Sequence, residues 1–280
     1  MESATSFPAP RRTYNPKWWI GEFMSSFVFG LFLTGAFFSA YQEDAFTTSL
    51  RVGLAAGLAC VVNIVCFSDI SGAHFNPVIT LTAALMGKLH PKKAALYCLV
   101  QLAGFLTAVS TTALLAEGRF SFRKNVEMLL PSPSSPYLAF IVEFGLVFLF
   151  VLVNCILSYD ASEGRFIDLE VESNASSSGS GILNGSGTIY SSIGTRNAKV
   201  VANPKALYAP ATMGMLVCLL IVVGRCLSGA FFNPALLLAP CILGLSFELA
   251  VWYLAGQLLG AVFAVFVFVQ LFTTLEAVEL

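Results

Sequence analysis

The sequence predicts an all-α membrane protein with six transmembrane helices and two re-entrant half-helices, arranged as an inverted repeat. Three observations predict this fold class. Hydrophobic residues make up 57% of the 280 positions and charged residues only 11%, which is more apolar surface than a soluble domain can bury. Six apolar stretches are long enough to cross a bilayer, which takes about 20 helical residues. A seven-residue motif, SGAHFNP, also recurs as SGAFFNP.

The apolar stretches and the motifs place the helices along the chain. The six predicted spans are residues 18–40, 50–67, 94–116, 137–158, 206–224 and 249–272. Two shorter segments follow the motifs, at about 76–87 and 233–243. A helix of about 12 residues rises roughly 18 Å, about half the bilayer, so these segments are predicted to enter the membrane without crossing it.

Lysine and arginine residues set the predicted orientation, because they concentrate in cytoplasmic loops. One group precedes the first span and another follows the first half-helix: Arg11, Arg12, Lys17, Lys88, Lys92 and Lys93. Loop 117–136, with Arg119, Arg123 and Lys124, is a counterexample. Both termini are therefore predicted to be cytoplasmic, and we favour the plasma membrane over an intracellular membrane.

The predicted organisation has two three-helix repeats. The parts are a cytoplasmic arm (1–17), the first repeat with its half-helix (18–116), an extracellular loop (117–136), the second repeat with its half-helix (137–272) and a C-terminal tail (273–280). Within the second repeat, residues 160–204 are rich in Ser and Gly, which is typical of a flexible cytoplasmic linker. A regulatory flap over the cytoplasmic mouth is the alternative.

Several classes of function find no support in the sequence. The net charge of −1 does not favour a nucleic-acid partner. The seven cysteines lie mostly in apolar runs, so we expect buried small side chains instead of disulfides or metal ligands. We find no nucleophile–base motif and no phosphate-binding loop, and we predict no catalytic residue, metal or cofactor.

The repeated motif explains why an Asn-Pro pair stands in an apolar chain. Asn is a favoured helix N-cap and Pro suits the first turn, so Asn76 and Asn233 are each expected to begin a half-helix. Three spans per repeat insert the second repeat upside down. Both positive N-termini then point at one place, where a neutral permeant can accept from the Asn amides while a cation or proton meets a barrier.

Together the two NP boxes, the paired glutamates Glu22 and Glu143 and the six spans resemble the aquaporin, or major intrinsic protein, family. The resemblance covers the chain except its termini and residues 160–204. It implies a homotetramer in membrane lipid, with one pore per subunit for water and small neutral solutes. It places the boxes at Asn76, Pro77, Val78, Asn233, Pro234 and Ala235.

By the same resemblance, Glu22 and Glu143 hold the backbones of the two re-entrant loops through hydrogen bonds. The alternative is that each is a proton-relay carboxylate. A secondary transporter built on these two acids is a further alternative, because such proteins place ionisable sites near the membrane midplane.

The sequence departs from the family at the constriction. Carrying the constriction positions over by spacing gives Ala56, Ile221, Ala230 and Leu236. Leu236 stands where arginine is usual, and Val78 where alanine is usual. This ring is small and apolar and has no donor, which favours larger solutes such as glycerol.

Two features of the ring oppose easy passage. An unpaired polar group costs about 1–3 kcal/mol, so permeants that lose hydration meet a penalty there. Phe231, Phe232 or loop 117–136 could also fill the opening and gate it by dewetting.

Two polar residues near the predicted pore remain open to more than one interpretation. Arg225 is interpreted first as an interfacial arginine, and alternatively as a residue of the outer vestibule. His74 is predicted to line the cytoplasmic approach and to fix the neighbouring loop by hydrogen bonding. A pH gate at His74 is the alternative.

The function predicted from the sequence is a passive channel for water and small uncharged solutes, with glycerol as the first candidate, that excludes ions and protons. The alternative is a poorly conducting or gated protein of the same fold with a structural or adhesion role. The first box is close to the usual pattern and the second runs into NPAL, so no subfamily is assigned.

Overall fold

The structure is a computed structural model that describes residues 16–116, 118, 120–163, 189–193, 196–200 and 204–272. Within these ranges the chain forms nine helices and two short strands. The helices are α1 (Trp18–Ser39), α2 (Ala45–Ser71), α3 (Pro77–Leu85), α4 (Pro91–Leu115), α5 (Phe122–Met128), α6 (Pro136–Glu163), α7 (Pro204–Ser228), α8 (Pro234–Gly244) and α9 (Ala250–Phe272). The strands are β1 (Ile189–Ile193) and β2 (Arg196–Val200).

Six of these helices, α1, α2, α4, α6, α7 and α9, are long and apolar enough to cross a membrane. The predicted all-α membrane fold is therefore confirmed. The helices α3 and α8, of 9 and 11 residues, follow the two motifs and are too short to cross. We call the side where α1 begins and α9 ends the proximal face, and the side where α1 ends and α2 begins the distal face.

Two loops hold structure that the sequence analysis did not predict. Loop 117–136 contains α5, which is tied to the end of α4 because the Asn125 side-chain amide donates to the carbonyl of Ala113 at 2.9 Å. In loop 160–204, β1 and β2 pair as an antiparallel hairpin, from Ile189 opposite Val200 to Ile193 opposite Arg196. The predicted arm up to residue 15, most of that loop and the tail 273–280 lie outside the described residues.

The membrane-spanning helices approach each other most closely where a glycine lies at the interface and leaves no room for a Cβ. A Cβ at Gly57 on α2 would lie 2.5 Å from the carbonyl oxygen of Gly214 on α7. The two repeats share a second such crossing. A Cβ at Gly104 on α4 would lie 2.6 Å from the carbonyl oxygen of Phe23 on α1, and a Cβ at Gly260 on α9 would lie 2.5 Å from that of Phe144 on α6. Small residues let membrane helices approach until backbones touch, which compensates for the weak hydrophobic drive between helices in lipid.

The two re-entrant loops follow the same backbone path. Ala73 and Phe75 have φ angles of 49° and 32°, and Ala230 and Phe232 have φ angles of 54° and 31°. Positive φ is uncommon for residues with a Cβ, so its recurrence at matching positions shows that both loops adopt one conformation. The matching loops reach the protein centre from opposite faces, which is the arrangement of an inverted repeat.

Candidate pore and its supporting loops

The half-helices α3 and α8 begin in the way that the Asn-Pro pairs predict. The side-chain oxygen of Asn76 accepts from the backbone N–H of Val78 at 3.0 Å, and Pro77 is the first helical residue. The side-chain oxygen of Asn233 accepts from the backbone N–H groups of Ala235 and Leu236 at 3.0 and 3.2 Å. Each asparagine therefore satisfies N–H groups that have no partner within the helix itself.

The same two asparagines join the loops to each other. The amide nitrogen of Asn76 donates to the carbonyl of Phe232 at 3.0 Å, and that of Asn233 donates to the carbonyl of Phe75 at 2.9 Å. Each amide nitrogen carries two hydrogens, so one fixes the opposite loop and a second is left for another acceptor. The arrangement brings two amide donors and two helix N-termini to one point.

Glu22 holds the first loop. Its carboxylate accepts from the backbone N–H groups of His74 and Phe75 at 3.0 and 2.9 Å. The side-chain amide of Gln101 on α4 donates to the same carboxylate at 2.7 Å. Glu22 is fully buried.

Glu143 holds the second loop with the same geometry. It accepts from the backbone N–H groups of Phe231 and Phe232 at 3.0 and 2.7 Å, and from the Gln257 amide at 2.7 Å. The Ser228 hydroxyl adds a fourth hydrogen bond at 2.7 Å. A buried carboxylate that is fully hydrogen-bonded to a loop supports that loop, and the contacts give no observation in favour of a proton relay.

Two pairs of residues in these networks were not predicted from the sequence. The hydroxyls of Tyr97 and Tyr253 donate to the carbonyls of Ser71 and Ser228, where the two loops leave their helices. The matching glutamines lie four residues after the tyrosines, in YCLVQ and YLAGQ. This repeated Y-x-x-x-Q pattern on α4 and α9 was the signal that could have found them.

The two loops differ where His74 in the first corresponds to Phe231 in the second. The Nδ1 atom of His74 lies 3.2 Å from the Thr80 hydroxyl, and its ring centroid is 5.3 Å from that of Tyr97. Phe231 packs edge-on against Tyr253 at 5.6 Å. The half-buried His74 therefore makes the proximal approach polar, whereas the equivalent position on the distal side is apolar.

A cavity of about 280 Å³ opens on the distal side of the meeting point. Three of the four predicted constriction residues line it, namely Ile221, Ala230 and Leu236. Ala56, which is fully buried, is not among the residues that line it. Val52, one turn closer to the distal face on α2, forms that part of the wall instead. The assignment of Ala56 to the constriction remains a prediction from spacing.

Other parts of the wall come from segments that the sequence analysis left open. Residues 128–132, from the last residue of α5 onwards, line the distal cavity, as does Phe231. Phe232 instead packs against Phe150, with 5.5 Å between ring centroids. Arg225 also lines the cavity, with its guanidinium carbon 5.1 Å from the ring centroid of Phe37. The vestibule interpretation of Arg225 thus agrees with the structure better than the interfacial one.

Comparison with known proteins decides the family. The family model described as Major intrinsic protein matches residues 11–171 and 182–279. The chain belongs to the major intrinsic protein family. An aquaporin of Encephalitozoon hellem is 27% identical over 252 residues, which cover 86% of this chain and 88% of that protein. Aquaporin-B of Dictyostelium discoideum is 27% identical over 262 residues, covering 90% and 84% of the two chains.

A solved structure agrees with the fold of the family. The X-ray structure of the aquaglyceroporin from Plasmodium falciparum superposes with a TM-score of 0.64 and covers 91% of this chain and 96% of that one. At 20% sequence identity this similarity supports a shared fold and nothing further. Major intrinsic proteins are membrane channels and not enzymes, so this multi-pass protein is a channel for water or small solutes.

Proposed function

We propose that the protein is a passive channel that conducts water and small uncharged solutes, glycerol first among them, and excludes ions and protons. The observation that carries this proposal is the meeting of α3 and α8, where Asn76 and Asn233 each donate one hydrogen bond across to the opposite loop. The second hydrogen of each amide is then available to the oxygen atom of a permeant.

The charge at this point favours neutral permeants. Each helix N-terminus carries roughly +0.5 elementary charge, and two of them face each other here. A cation or a hydrated proton at the midplane meets both positive ends, whereas water or a hydroxyl group presents an oxygen acceptor. The fully buried Glu22 and Glu143 keep the loops in place without facing the permeant.

The residues that line the distal cavity favour solutes larger than water. Leu236, Ile221 and Ala230 supply no bulky polar group at the positions carried over as the constriction. The similar fold of the aquaglyceroporin from Plasmodium falciparum supports glycerol as the first solute to test. Glycerol carries a carbon backbone that can lie along an apolar wall and hydroxyl groups that need donors.

The arrangement in the membrane is part of the proposal. We place the proximal face, with both termini and loop 160–204, in the cytoplasm, and the distal cavity outside. The lysines at the start of α4, Lys92 and Lys93, lie on the proximal face and support this orientation. Assembly as a homotetramer, with one pore in each subunit of the plasma membrane, completes the proposal.

Stopped-flow light scattering on liposomes that contain the purified protein tests the function. Separate gradients of an impermeant osmolyte and of glycerol are applied to the wild type, to Leu236→Arg and to Leu245→Arg. Leu245 is 85% exposed after α8, so its variant adds an arginine to the distal face without narrowing the cavity. We expect fast water and glycerol flux in the wild type and in Leu245→Arg, and loss of glycerol flux with retained water flux in Leu236→Arg.

The same experiment addresses the alternative of a poorly conducting protein. Residues 128–132 and Phe231 lie on the cavity wall, and the apolar ring beside them could exclude water. Water and glycerol rates equal to those of empty liposomes would contradict the proposed open channel and favour a structural role. Equal glycerol flux in the wild type and in Leu236→Arg would reject the predicted constriction but keep the channel.

A further inference from the structure

Arg225 is the only charged side chain among the described residues that line the distal cavity. It belongs to the last turn of α7, one turn after Ile221 on the same face of the helix, which is why both reach the same wall. Leu236 lies on that wall as well. A cation therefore lines the same cavity as the apolar residue that occupies the usual place of an arginine.

The surroundings of Arg225 leave its charge available to the cavity. Its guanidinium carbon lies 5.1 Å from the ring centroid of Phe37, a distance at which the ring face attracts a cation. Within the described ranges no carboxylate lies within ion-pair distance of Arg225, whereas Arg51 pairs with Glu43 at 2.9 Å. The ring of Phe37 positions the guanidinium. The five N–H groups of the guanidinium can then donate hydrogen bonds to a solute.

Two other polar side chains on the cavity wall, those of Thr34 and Ser228, are already engaged. The Thr34 hydroxyl donates to the carbonyl of Gly30 at 2.7 Å, and the Ser228 hydroxyl donates to Glu143 at 2.7 Å. Arg225 provides the only charged donors that a solute hydroxyl would meet among the described residues of this wall. An apolar wall opposite a guanidinium suits a solute with carbon on one side and oxygen on the other.

We propose that Arg225 is the selectivity-determining cation of this pore. From the last turn of α7 it repels cations and donates hydrogen bonds to solutes in the distal cavity, where Leu236 does neither. This inference rests on the proposed channel function. In a medium with an effective dielectric constant of about 20, a unit positive charge lowers the concentration of a monovalent cation about 6 Å away roughly a hundredfold. A single arginine can therefore exert a measurable effect on ions in the cavity.

The first experiment measures the field of Arg225 without requiring any conduction. Cys226 is exposed and lines the same cavity, so it serves as a probe. The full chain in liposomes is treated with an anionic (sulfonatoethyl) or a cationic (trimethylammonioethyl) methanethiosulfonate, and the modification rate at Cys226 is read by peptide mass spectrometry. We expect the anionic-to-cationic rate ratio to fall at least about fivefold in Arg225→Leu.

Matched variants make this result specific. Arg225→Lys retains the charge and should retain the ratio, and Arg51→Leu removes an exposed arginine that is paired outside the cavity and should also retain it. An unchanged ratio in Arg225→Leu would overturn the proposal. Because a closed pore can be labelled as well as an open one, that result is distinct from failure of the channel function itself.

The second experiment measures ion exclusion in the conducting protein. Proton permeability, from an entrapped pH dye, is divided by water permeability from light scattering for each variant. We expect this quotient to rise about tenfold in Arg225→Leu and to return towards the wild-type value in Arg225→Leu/Leu236→Arg, where the arginine is moved across the cavity. A quotient in Arg225→Leu equal to that of the wild type and of Arg51→Leu would refute the selectivity role.

Discussion

At the scale of single residues, the buried carboxylates are the most tightly determined part of the molecule. Glu143 accepts four hydrogen bonds and Glu22 three, from the re-entrant loops, from α4 and α9, and from Ser228 at the end of α7. Because the loops carry residues at positive φ, their shape has to be maintained by contacts with the surrounding helices. The carboxylates supply those contacts at matching positions in both repeats.

Replacing Glu143 with glutamine should destabilise the protein and slow solute flux. One carboxylate oxygen becomes an NH₂ group that faces the donors of Phe231, Phe232 or Gln257, and at least one buried donor loses its acceptor. The expected loss is about 1–3 kcal/mol of unfolding free energy, or roughly 2–10 °C in Tm. Thermal unfolding in detergent and water flux in liposomes measure the two effects.

The control for this prediction is Glu127→Gln. Glu127 lies on α5, where it pairs with Arg123 at 3.2 Å and is partly exposed, so its replacement should change neither Tm nor flux. If Glu143→Gln behaved like Glu127→Gln in both assays, the carboxylate would not support the second loop. Loss of flux with an unchanged Tm would instead return attention to a proton-relay role.

At the scale of elements, the distal end of α2 depends on a cap. The Asp44 carboxylate accepts from the backbone N–H groups of Phe46 and Thr47 at 2.9 and 3.0 Å, and from the Thr47 hydroxyl at 2.6 Å. The hydrogen bond from the Thr47 side chain, followed by those from the backbone, lowers the pKa of Asp44 below its ordinary value of 3.8. These contacts favour the ionised form.

The lowered pKa of Asp44 predicts a pH-dependent difference between the wild type and Asp44→Asn. The wild-type carboxylate contributes stability that is complete above the unfolded-state pKa and is lost as the pH falls through the lower folded-state pKa. The asparagine still caps the helix but does not titrate. Urea or thermal unfolding from pH 7 to below pH 3.8 should show the wild-type advantage at neutral pH shrinking in acid. A difference that is constant with pH would exclude this contribution.

At the scale of the whole molecule, the single chain leaves much apolar surface uncovered. Only 33–39% of the residues in the apolar window of each span are buried within the chain. On α2, Leu58 is 67% exposed, and on α7, Val223 is 67% exposed. In a membrane this apolar surface is covered by lipid or by neighbouring subunits, so its exposure on the single chain is expected.

The proposed tetramer predicts a definite mass. Native mass spectrometry of the detergent-purified protein should give a species of four chains of 30.0 kDa each, stable on mild activation. The detergent-solubilised particle is compared with the same sample after harsher activation, which should release single chains. A protein that is monomeric under mild conditions would contradict the tetramer, while leaving one pore per chain intact.

Much of the fold was predictable because its signals are local. Apolar runs near 20 residues indicate spans wherever they occur, and α1 and α9 match their predicted bounds within one residue. The Asn-Pro pairs predict where α3 and α8 begin, because a cap and a first-turn proline act within one turn. Helix α5 was missed, since seven residues in a charged loop carry no periodic pattern long enough to recognise.

The same distinction between local and tertiary signals applies to the candidate site. By itself the sequence determined the six spans, the inverted repeat and the two boxes, because these depend on residue type and spacing along one segment. Tertiary structure alone decided that Asn76 and Asn233 donate to the opposite loops, and that Val52 and Arg225 line the distal cavity. Those positions depend on how the two re-entrant loops meet and on how α2 and α7 pack around the cavity, and side-chain reach across a helix interface is not encoded in linear spacing.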